Sequence, residues 1–275
     1  MSILHAIILG IVQGLTEFLP ISSSGHLELV PWLFGWNDFD DEAVAKAFDT
    51  ALHLGTLVAV VIYMRSELSR YVRAGLGALA RPRTATVTGR AAWLFVASAI
   101  PAGLVGLIAQ DWITTTLGGP AAIAASLIGF ALVLWWADRR SGSRDVADYR
   151  LRDAVLTGCA QVLALNPGTS RSGITISMAR AVGFSRDAAA RISFLMSIPV
   201  IAAAVVFQLG SLIGDGVPDG LGAALGAGIV ASAISGWIAM WGMIKLLRTR
   251  RFTGFVAYRI VVGLGVFVLL ASSVR

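Results

Sequence analysis

The chain has 275 residues; 56% of them are apolar, only 14% are charged, and the mean hydropathy is +0.77. A soluble domain of this size would carry about 25% charged residues, so the composition excludes a water-soluble enzyme and predicts a polytopic membrane protein. The net charge of +6 does not indicate a nucleic-acid partner, because the basic residues stand in short segments between apolar runs. The lone Cys159 excludes an intrachain disulfide, and the non-basic start of the chain predicts no cleavable signal peptide.

Six apolar segments are long enough to cross a bilayer, which takes about 20 residues of helix. They lie at residues 47–64, 91–109, 120–137, 192–213, 221–244 and 254–272. Two further apolar regions, 3–34 and 154–179, contain polar breaks. Each is predicted to form a helix, a break and a second helix, neither long enough to cross, and such backbone survives at membrane depth only when it is buried in protein or lines a wet cavity.

The two breaks have related sequences. The first lies in QGLTEFLPISSSGH at residues 13–26, and the second lies in QVLALNPGTSRSG at residues 161–173. A shift of 148 residues pairs Ser23 with Arg171 and aligns six identical residues, which are Gly10 with Gly158, Gln13 with Gln161, Leu15 with Leu163, Ser22 with Ser170, Ser24 with Ser172, and Gly25 with Gly173. Two related polar breaks half a chain apart indicate an internal repeat.

Charge divides the connections between the spans into two classes. Segments 65–90, 138–153, 180–191 and 245–252 hold 18 of the 22 basic residues, and the positive-inside rule places them in the cytoplasm. The other connections are acidic, with Asp38, Asp40, Asp41, Glu42, Asp111, Asp215 and Asp219. Six crossings fit this pattern if both broken regions are re-entrant, the first with both ends outside and the second with both ends inside. Both chain termini are then outside.

These features predict an all-α integral membrane protein that forms a single membrane domain over residues 1–275. It has six transmembrane helices and two re-entrant helix-loop-helix hairpins in an inverted-topology repeat, with halves at 1–137 and 153–275. A short echo supports the repeat, since VASAI at 96–100 recurs at 230–234, within the second span of each half. Inverted repeats built around broken helices place a binding site near the midplane of the membrane.

Two charged side chains indicate where this site lies. Glu17 follows Gln13 by one helical turn on the same face, and an isolated carboxylate in lipid marks a functional site with a partner. Arg171 in the second break is the expected partner. Arg259, five residues into the last span, is expected to snorkel to the inner surface or to be paired rather than to be catalytic.

The serines of both breaks stand where a helix restarts. They can cap the new helix, whose free N–H groups and positive dipole end attract an anion, and phosphate is the natural guest. Glycines in both breaks would let the backbone approach this anion. The residues concerned are Ser22, Ser23, Ser24, Gly25, Gly168, Ser170, Ser172 and Gly173.

Anion binding alone would not need both Glu17 and His26. Hydrolysis of a phosphoanhydride needs a nucleophile, proton transfer and neutralisation of charge. Ser23 or His26 could attack phosphorus, Glu17 could be the base or orient the nucleophile, and Arg171 could neutralise the phosphoryl oxygens. In the alternative interpretation, the serines are only caps and His26 is a hydrogen-bonded structural residue.

Three further polar residues are candidates for the pocket lining. Asp49 and His53 are one turn apart at the start of the first span, where they either line the pocket or lie at the interface in water. Gln161 either makes a hydrogen bond in the pocket or only packs against another helix.

Two segments also resemble a known family. QGLTEFLPISSSGH at 13–26 and PGTSRSGIT at 167–175 are similar to the signature segments of the bacterial undecaprenyl-diphosphate phosphatases, the bacitracin-resistance protein family. The resemblance covers nearly the whole chain, including FDTALHLGTLVAV from Phe48. It implies hydrolysis of undecaprenyl diphosphate to the monophosphate and inorganic phosphate in the bacterial inner membrane. This reaction recycles the lipid carrier of cell-wall synthesis and confers bacitracin resistance.

The resemblance also implies roles for individual residues. It assigns the essential glutamate, serine, histidine and arginine of the family to Glu17, Ser23, His26 and Arg171, and supporting pocket roles to Ser22, Ser24, Ser170, Ser172 and Thr175. A divalent cation, Mg²⁺ or Ca²⁺, is associated with activity in the family. Many members have Glu where this chain has Gln13, which is neither a base nor a strong cation ligand. We therefore expect at most an ion that bridges Glu17 and the diphosphate.

The sequence favours a phosphatase whose partners are undecaprenyl diphosphate and the bilayer, with a homo-oligomer left open. The pocket is expected to open to the outer face, because the first hairpin enters from there. The rival is an inverted-repeat transporter or flippase of a lipid phosphate, which would need no nucleophile. A purely structural membrane anchor would leave Glu17 and Arg171 unexplained.

Overall fold

A computed structural model describes residues 1–39, 42–215, 221–247 and 249–272. Asp40, Asp41, Asp219 and Arg248 of the predicted acidic and basic connections lie outside these residues. Within the described ranges the fold is all-α, as predicted. The helices are α1 (Ile3–Phe18), α2 (Ser23–Phe34), α3 (Glu42–Tyr63), α4 (Arg65–Ala80), α5 (Val87–Ala97), α6 (Ile100–Leu117), α7 (Pro120–Asp138), α8 (Leu151–Val162), α9 (Arg171–Ala181), α10 (Arg186–Asp215), α11 (Leu221–Leu247) and α12 (Thr253–Ala271).

Five helical segments of the described chain are long and apolar enough to cross a membrane. These are Val87–Leu117, Pro120–Asp138, Arg186–Phe207, Leu221–Leu247 and Thr253–Ala271. A sixth is counted if Ala47–Tyr63 and Arg65–Ala80, which meet at 84°, form one broken span. The prediction of a multi-pass helical membrane protein is therefore confirmed.

The prediction for one connection between spans was wrong. The segment 65–90, interpreted as a loop, contains α4, because it is amphipathic: Tyr71 and Gly75 are buried while most of its arginines are exposed. The Nε1 atom of Trp93 in α5 donates to the Gly75 carbonyl at 3.0 Å. The predicted span 91–109 lies within the candidate crossing Val87–Leu117, which has a short break between α5 and α6. Pro101 lies in the first turn of α6 and lacks the N–H that would continue the hydrogen-bond pattern of α5.

Small residues let α1 pack closely against α11. A methyl group at Gly10 would lie 2.4 Å from the Gly228 carbonyl oxygen, and one at Gly14 would lie 2.0 Å from Ser235 Oγ. In lipid, the hydrophobic effect does not drive helices together, because the surrounding lipid tails are as apolar as the helices. Helices associate there through close packing, which small residues permit. This packing fixes the rotation of α1 and therefore the direction in which its last turn points.

The four basic segments contact one another at one end of the helix bundle. Glu67 pairs with Arg191, which joins the first to the third. The Asp138 carboxylate accepts from Arg186 Nε at 2.5 Å and from the Phe252 backbone N–H at 3.1 Å, which joins the second to the third and the fourth. The four segments that the sequence classes as basic therefore also lie together in the structure.

Candidate active site

Each broken region restarts as a helix at a strained serine. We call residues 19–22, between α1 and α2, the first hinge, and residues 163–170, between α8 and α9, the second hinge. Ser22 and Ser170 have φ of 78° and 74° and are the only non-glycine residues of the described chain with positive φ. Their Oγ atoms accept from the backbone N–H groups of Gly25 and Gly173 at 3.3 and 3.0 Å. The predicted capping is therefore confirmed at these two serines.

Each hinge contacts the helix that follows the other hinge. A methyl group on Gly25 would lie 3.2 Å from the Cα atom of Gly168, and Ser172 Oγ donates to the Leu19 carbonyl at 2.9 Å. Gly168 has φ of +88°, and a methyl group there would lie 2.6 Å from the Ile123 carbonyl oxygen. Both the left-handed conformation and the close approach require glycine at this position.

Glu17 and Arg171 meet where the hinges converge. Arg171 Nη2 donates to Glu17 Oε1 at 2.9 Å. The other oxygen, Oε2, accepts from Ser23 Oγ at 2.6 Å and from Gln13 Nε2 at 3.2 Å, while His53 Nε2 lies 3.6 Å away. The Glu17 side chain is only 5% exposed and that of Arg171 only 13%. The structure thus brings together the carboxylate and the guanidinium that the sequence predicts to be partners.

The orientation of Arg171 depends on α10. Arg171 Nη1 donates to the Ser193 carbonyl at 3.2 Å, and Thr175 Oγ1 lies 2.8 Å from Ser193 Oγ and donates to the Arg171 carbonyl at 2.8 Å. Thr175, predicted to be a supporting pocket residue, therefore contacts both Arg171 and the residue whose carbonyl accepts from it. Ser193 itself was missed, because nothing in the apolar run of α10 distinguishes it.

Both ring nitrogens of His26 are engaged away from Glu17. His26 Nδ1 lies 2.7 Å from the Ser22 carbonyl oxygen, and His26 Nε2 lies 2.8 Å from the hydroxyl of Tyr258, whose ring stacks on the imidazole. Because a carbonyl only accepts, Nδ1 carries the proton and Nε2 accepts from Tyr258. Sequence reasoning missed Tyr258, which lies in the last span far along the chain.

Of the two alternatives expected for Arg259, snorkelling to the surface is wrong, and the side chain has partners inside the protein instead. It is fully buried, and its guanidinium donates at 2.9–3.1 Å to carbonyl oxygens of both hinges and of α7, which belong to Pro20, Leu127, Gly168 and Thr169. These bonds connect the two hinges through one side chain. They also place the positive charge of Arg259 next to both hinges. The capacity of a guanidinium to donate in several directions explains how one side chain can do this.

The other predicted residues are less directly involved. Ser24 is exposed, and its hydroxyl makes no hydrogen bond with the described residues. Asp49 offers its backbone carbonyl to His53 Nδ1 at 2.7 Å, which orients the imidazole towards Glu17. Gln161 is buried, but neither atom of its amide has a hydrogen-bond partner among the described residues, which favours packing over a pocket hydrogen bond, the two alternatives for this residue. Gly173 lies beside Arg259, with 3.0 Å between an added methyl group and Nη1.

The residues around Glu17 do not provide the oxygen ligands that the protein would need to hold a divalent cation. Mg²⁺ and Ca²⁺ take six or more oxygen ligands, usually including several carboxylates. Both Glu17 oxygens accept hydrogen bonds, one of them from a guanidinium, and the neighbouring amide belongs to Gln13. The described residues contain no group of three or more His, Cys, Asp or Glu that could hold an ion. An ion at this place would take most of its oxygen ligands from a bound diphosphate.

Comparison with known proteins identifies the family. The family described as Bacitracin resistance protein BacA matches residues 6–265. Proteins named undecaprenyl-diphosphatase from Geobacter metallireducens and Elusimicrobium minutum are 42% and 43% identical, over at least 99% of this chain and 100% of theirs. A protein named undecaprenyl-diphosphatase 2 from Stutzerimonas stutzeri is 44% identical over 99% of this chain and 100% of its own. The chain belongs to the bacitracin resistance protein BacA family.

Proposed function

We propose that this protein hydrolyses undecaprenyl diphosphate to undecaprenyl monophosphate and inorganic phosphate. The observation that carries the proposal is the contact of Ser23, Glu17 and Arg171 at the junction of two capped helix starts. A hydroxyl, a carboxylate and a guanidinium are the parts that nucleophilic phosphoryl transfer needs. The names of the relatives supply the substrate. In this role the protein recycles the lipid carrier of cell-wall synthesis and confers bacitracin resistance.

Substrate binding uses charge that the fold already concentrates at the hinges. The terminal phosphate binds to Arg171 and to the N-termini of α2 and α9, while the prenyl tail lies between helices in the bilayer. Arg259 adds positive charge behind both hinges. The N–H groups that the caps leave free at the two helix starts can donate to an anion without reorganisation, because the caps at Ser22 and Ser170 hold both helix starts in place.

Ser23 is the proposed nucleophile. Its Oγ attacks the terminal phosphorus and passes its proton to Glu17 Oε2, while the bond from phosphorus to the bridging oxygen breaks and undecaprenyl monophosphate leaves. Glu17 then passes this proton to solvent through His53 and becomes a carboxylate again. Water attacks the phosphoserine and gives a proton to Glu17. Glu17 passes that proton to Ser23 Oγ as the bond from phosphorus to Oγ breaks and inorganic phosphate leaves. The 2.6 Å bond between Ser23 and Glu17 supports this assignment, since nucleophile and base must lie within hydrogen-bond reach.

His26 and His53 have different proposed roles. The bonds of His26 to Ser22 and Tyr258 favour a structural role at the start of α2 over attack on phosphorus. His53 contacts Glu17 and is 28% exposed, whereas Glu17 is 5% exposed. A proton that Glu17 accepts therefore has a route to water through the His53 imidazole, and we assign His53 to proton transfer.

The proposed arrangement in the membrane is an inverted repeat of 1–137 and 153–275 with two re-entrant hairpins. Two packing relations support it: Gly10 of α1 packs on Gly228 of α11, and Gly158 of α8 packs on Ser98 at the break before α6. Each hairpin helix thus contacts a helical segment that carries a VASAI copy in the other half. With the basic end of the bundle in the cytoplasm of a bacterial cell, both termini and the pocket face outwards.

A phosphate-release assay tests the proposal. The purified protein in detergent is given undecaprenyl diphosphate, beside Ser23→Ala and Ser24→Ala as a matched pair of neighbouring serines on α2. We expect the wild type and Ser24→Ala to release phosphate, and the rate of Ser23→Ala to fall by about 10³-fold or more. Absence of release by the wild type, with lipid transfer across vesicles that Ser23→Ala retains, would establish the transporter instead.

A further inference from the structure

A second charged cavity lies at the basic end of the bundle, among the ends of α7, α9 and α11 and the starts of α10 and α12. Its volume is about 590 Å³. Five arginines and two aspartates line it, namely Arg139, Arg140, Arg180, Arg186, Arg251, Asp138 and Asp187. None of the hinge residues does, so this basic cavity is separate from the candidate active site and independent of the function proposed for it.

The carboxylates of the basic cavity are already neutralised. Asp138 accepts from Arg186 at 2.5 Å, and Asp187 accepts from Arg191 at 2.7 Å. In the described chain, by contrast, the guanidinium groups of Arg139, Arg140 and Arg251 pair with no carboxylate. Guanidinium is the preferred partner of phosphate, with which it can form two parallel hydrogen bonds. The unmatched charge of the cavity therefore favours a phosphate group.

Arg180 gives a second, independent indication of a ligand. Arg180 is only 3% exposed, and its terminal nitrogens donate to the carbonyl groups of Phe184 and Arg140. Its Nε has no hydrogen-bond partner and lies 4.0 Å from Asp138 Oδ1. A buried charged donor without an acceptor is unfavourable, so Arg180 indicates that an oxygen acceptor belongs in this cavity.

The surroundings indicate that the phosphate belongs to a lipid. An adjoining cavity of about 200 Å³ shares Asp138, Arg139 and Arg251 with the first and extends to Trp135 and Val256. Arg139 lies 4.6 Å above the Trp135 ring, which is 43% exposed. Exposed tryptophans are typical of the membrane–water interface, where a headgroup lies. We propose that the basic cavity binds the headgroup phosphate of an anionic phospholipid, with its acyl chains beside Trp135.

Two triple variants with equal loss of charge test this site. Arg139→Gln/Arg140→Gln/Arg251→Gln removes the unmatched cavity charge. Arg81→Gln/Arg83→Gln/Arg90→Gln removes three exposed arginines of another basic segment that do not line the cavity. Each protein, purified in neutral detergent, is titrated with phosphatidylglycerol, with phosphatidylcholine and with inorganic phosphate. Thermal unfolding gives Tm, and native mass spectrometry counts the lipids that stay bound.

We expect phosphatidylglycerol to raise Tm of the wild type and of the control triple variant by about 2–5 °C at saturation, and to remain bound to both. The cavity variant should lose both effects, and phosphatidylcholine should have none. If that variant does not fold, Arg251→Gln alone serves, with a smaller Tm shift expected. An equal loss in both triple variants would mean general charge attraction, and an equal shift with inorganic phosphate would mean a free-anion site; either overturns the proposal.

Discussion

Ser22 in the first hinge and Ser170 in the second hinge have nearly the same φ, 78° and 74°, and each caps the next helix through a glycine N–H three residues later. The residue that follows differs, since it is Ser23 in one hinge and Arg171 in the other. Both side chains reach the same carboxylate, one oxygen each. The comparison teaches that one backbone conformation can position two different groups, a hydroxyl and a guanidinium, around a single carboxylate.

Loss of Arg171 should have the largest effect on this pair. We expect Arg171→Ala to lower kcat/KM for phosphate release by about 10³-fold, because no other guanidinium contacts Glu17 within the described chain. Arg171→Lys keeps the charge but loses the fork that also binds the Ser193 carbonyl, and should be intermediate. Full phosphate release by purified, folded Arg171→Ala would refute the proposed role.

Substitution of the hinge glycine should come next. Gly168→Ala places a methyl group 2.6 Å from the Ile123 carbonyl oxygen at φ of +88°, and we expect it to reduce the free energy of unfolding by about 2–4 kcal/mol. Gly183→Ala is the matched control. Its φ is +95°, but its nearest neighbour lies 3.6 Å away, so about 1–2 kcal/mol is expected. Equal Tm losses in the two variants would show that the hinges are not tightly packed.

His53 contacts Glu17 from α3 and belongs to neither hinge. We expect His53→Gln to lower kcat by about 10–100-fold, because glutamine can contact Glu17 but cannot carry a proton away from it. Imidazole added to the solvent should restore part of the activity. A variant whose kcat equals that of the wild type would leave His53 a packing role only.

The two caps should have the smallest and most similar effects. Ser22→Ala and Ser170→Ala each remove one capping acceptor, and each should reduce the free energy of unfolding by about 1 kcal/mol. Thermal unfolding of both variants beside the wild type measures this. Similar losses would sharpen the equivalence of the hinges, whereas a several-fold difference would break it.

Local sequence was sufficient to predict the helix breaks of the site and the pairing of Glu17 with Arg171. Pro20 and the clustered serines predict a helix break and a capped restart, because these residues act on their own backbone neighbours. The expense of an isolated charge in lipid predicts that Glu17 has a partner, and Arg171 was the available cation. By contrast, α4 was wrongly predicted to be a loop. Its arginines made the segment resemble a basic loop, although the helix is amphipathic.

Residues that act on the hinges from distant helices could not be found in this way. Arg259 lies in an apolar run 239 residues from Pro20, whose carbonyl it binds, and Tyr258 lies 232 residues from His26. Whether such a side chain faces lipid or a hinge depends on how its helix is rotated. That rotation is decided by packing against other helices, as at Gly10 and Gly14 on α11.

The sequence by itself determined the class of protein, the two helix breaks and the charge classes of the connections, because hydropathy and local backbone chemistry act over a few residues. Only the tertiary structure decided that Arg259 joins the hinges, that Ser193 and Thr175 orient Arg171, and that five arginines line one cavity at the basic end. These are contacts between helices, and they follow from close packing of small residues and directional hydrogen bonds that no single segment encodes.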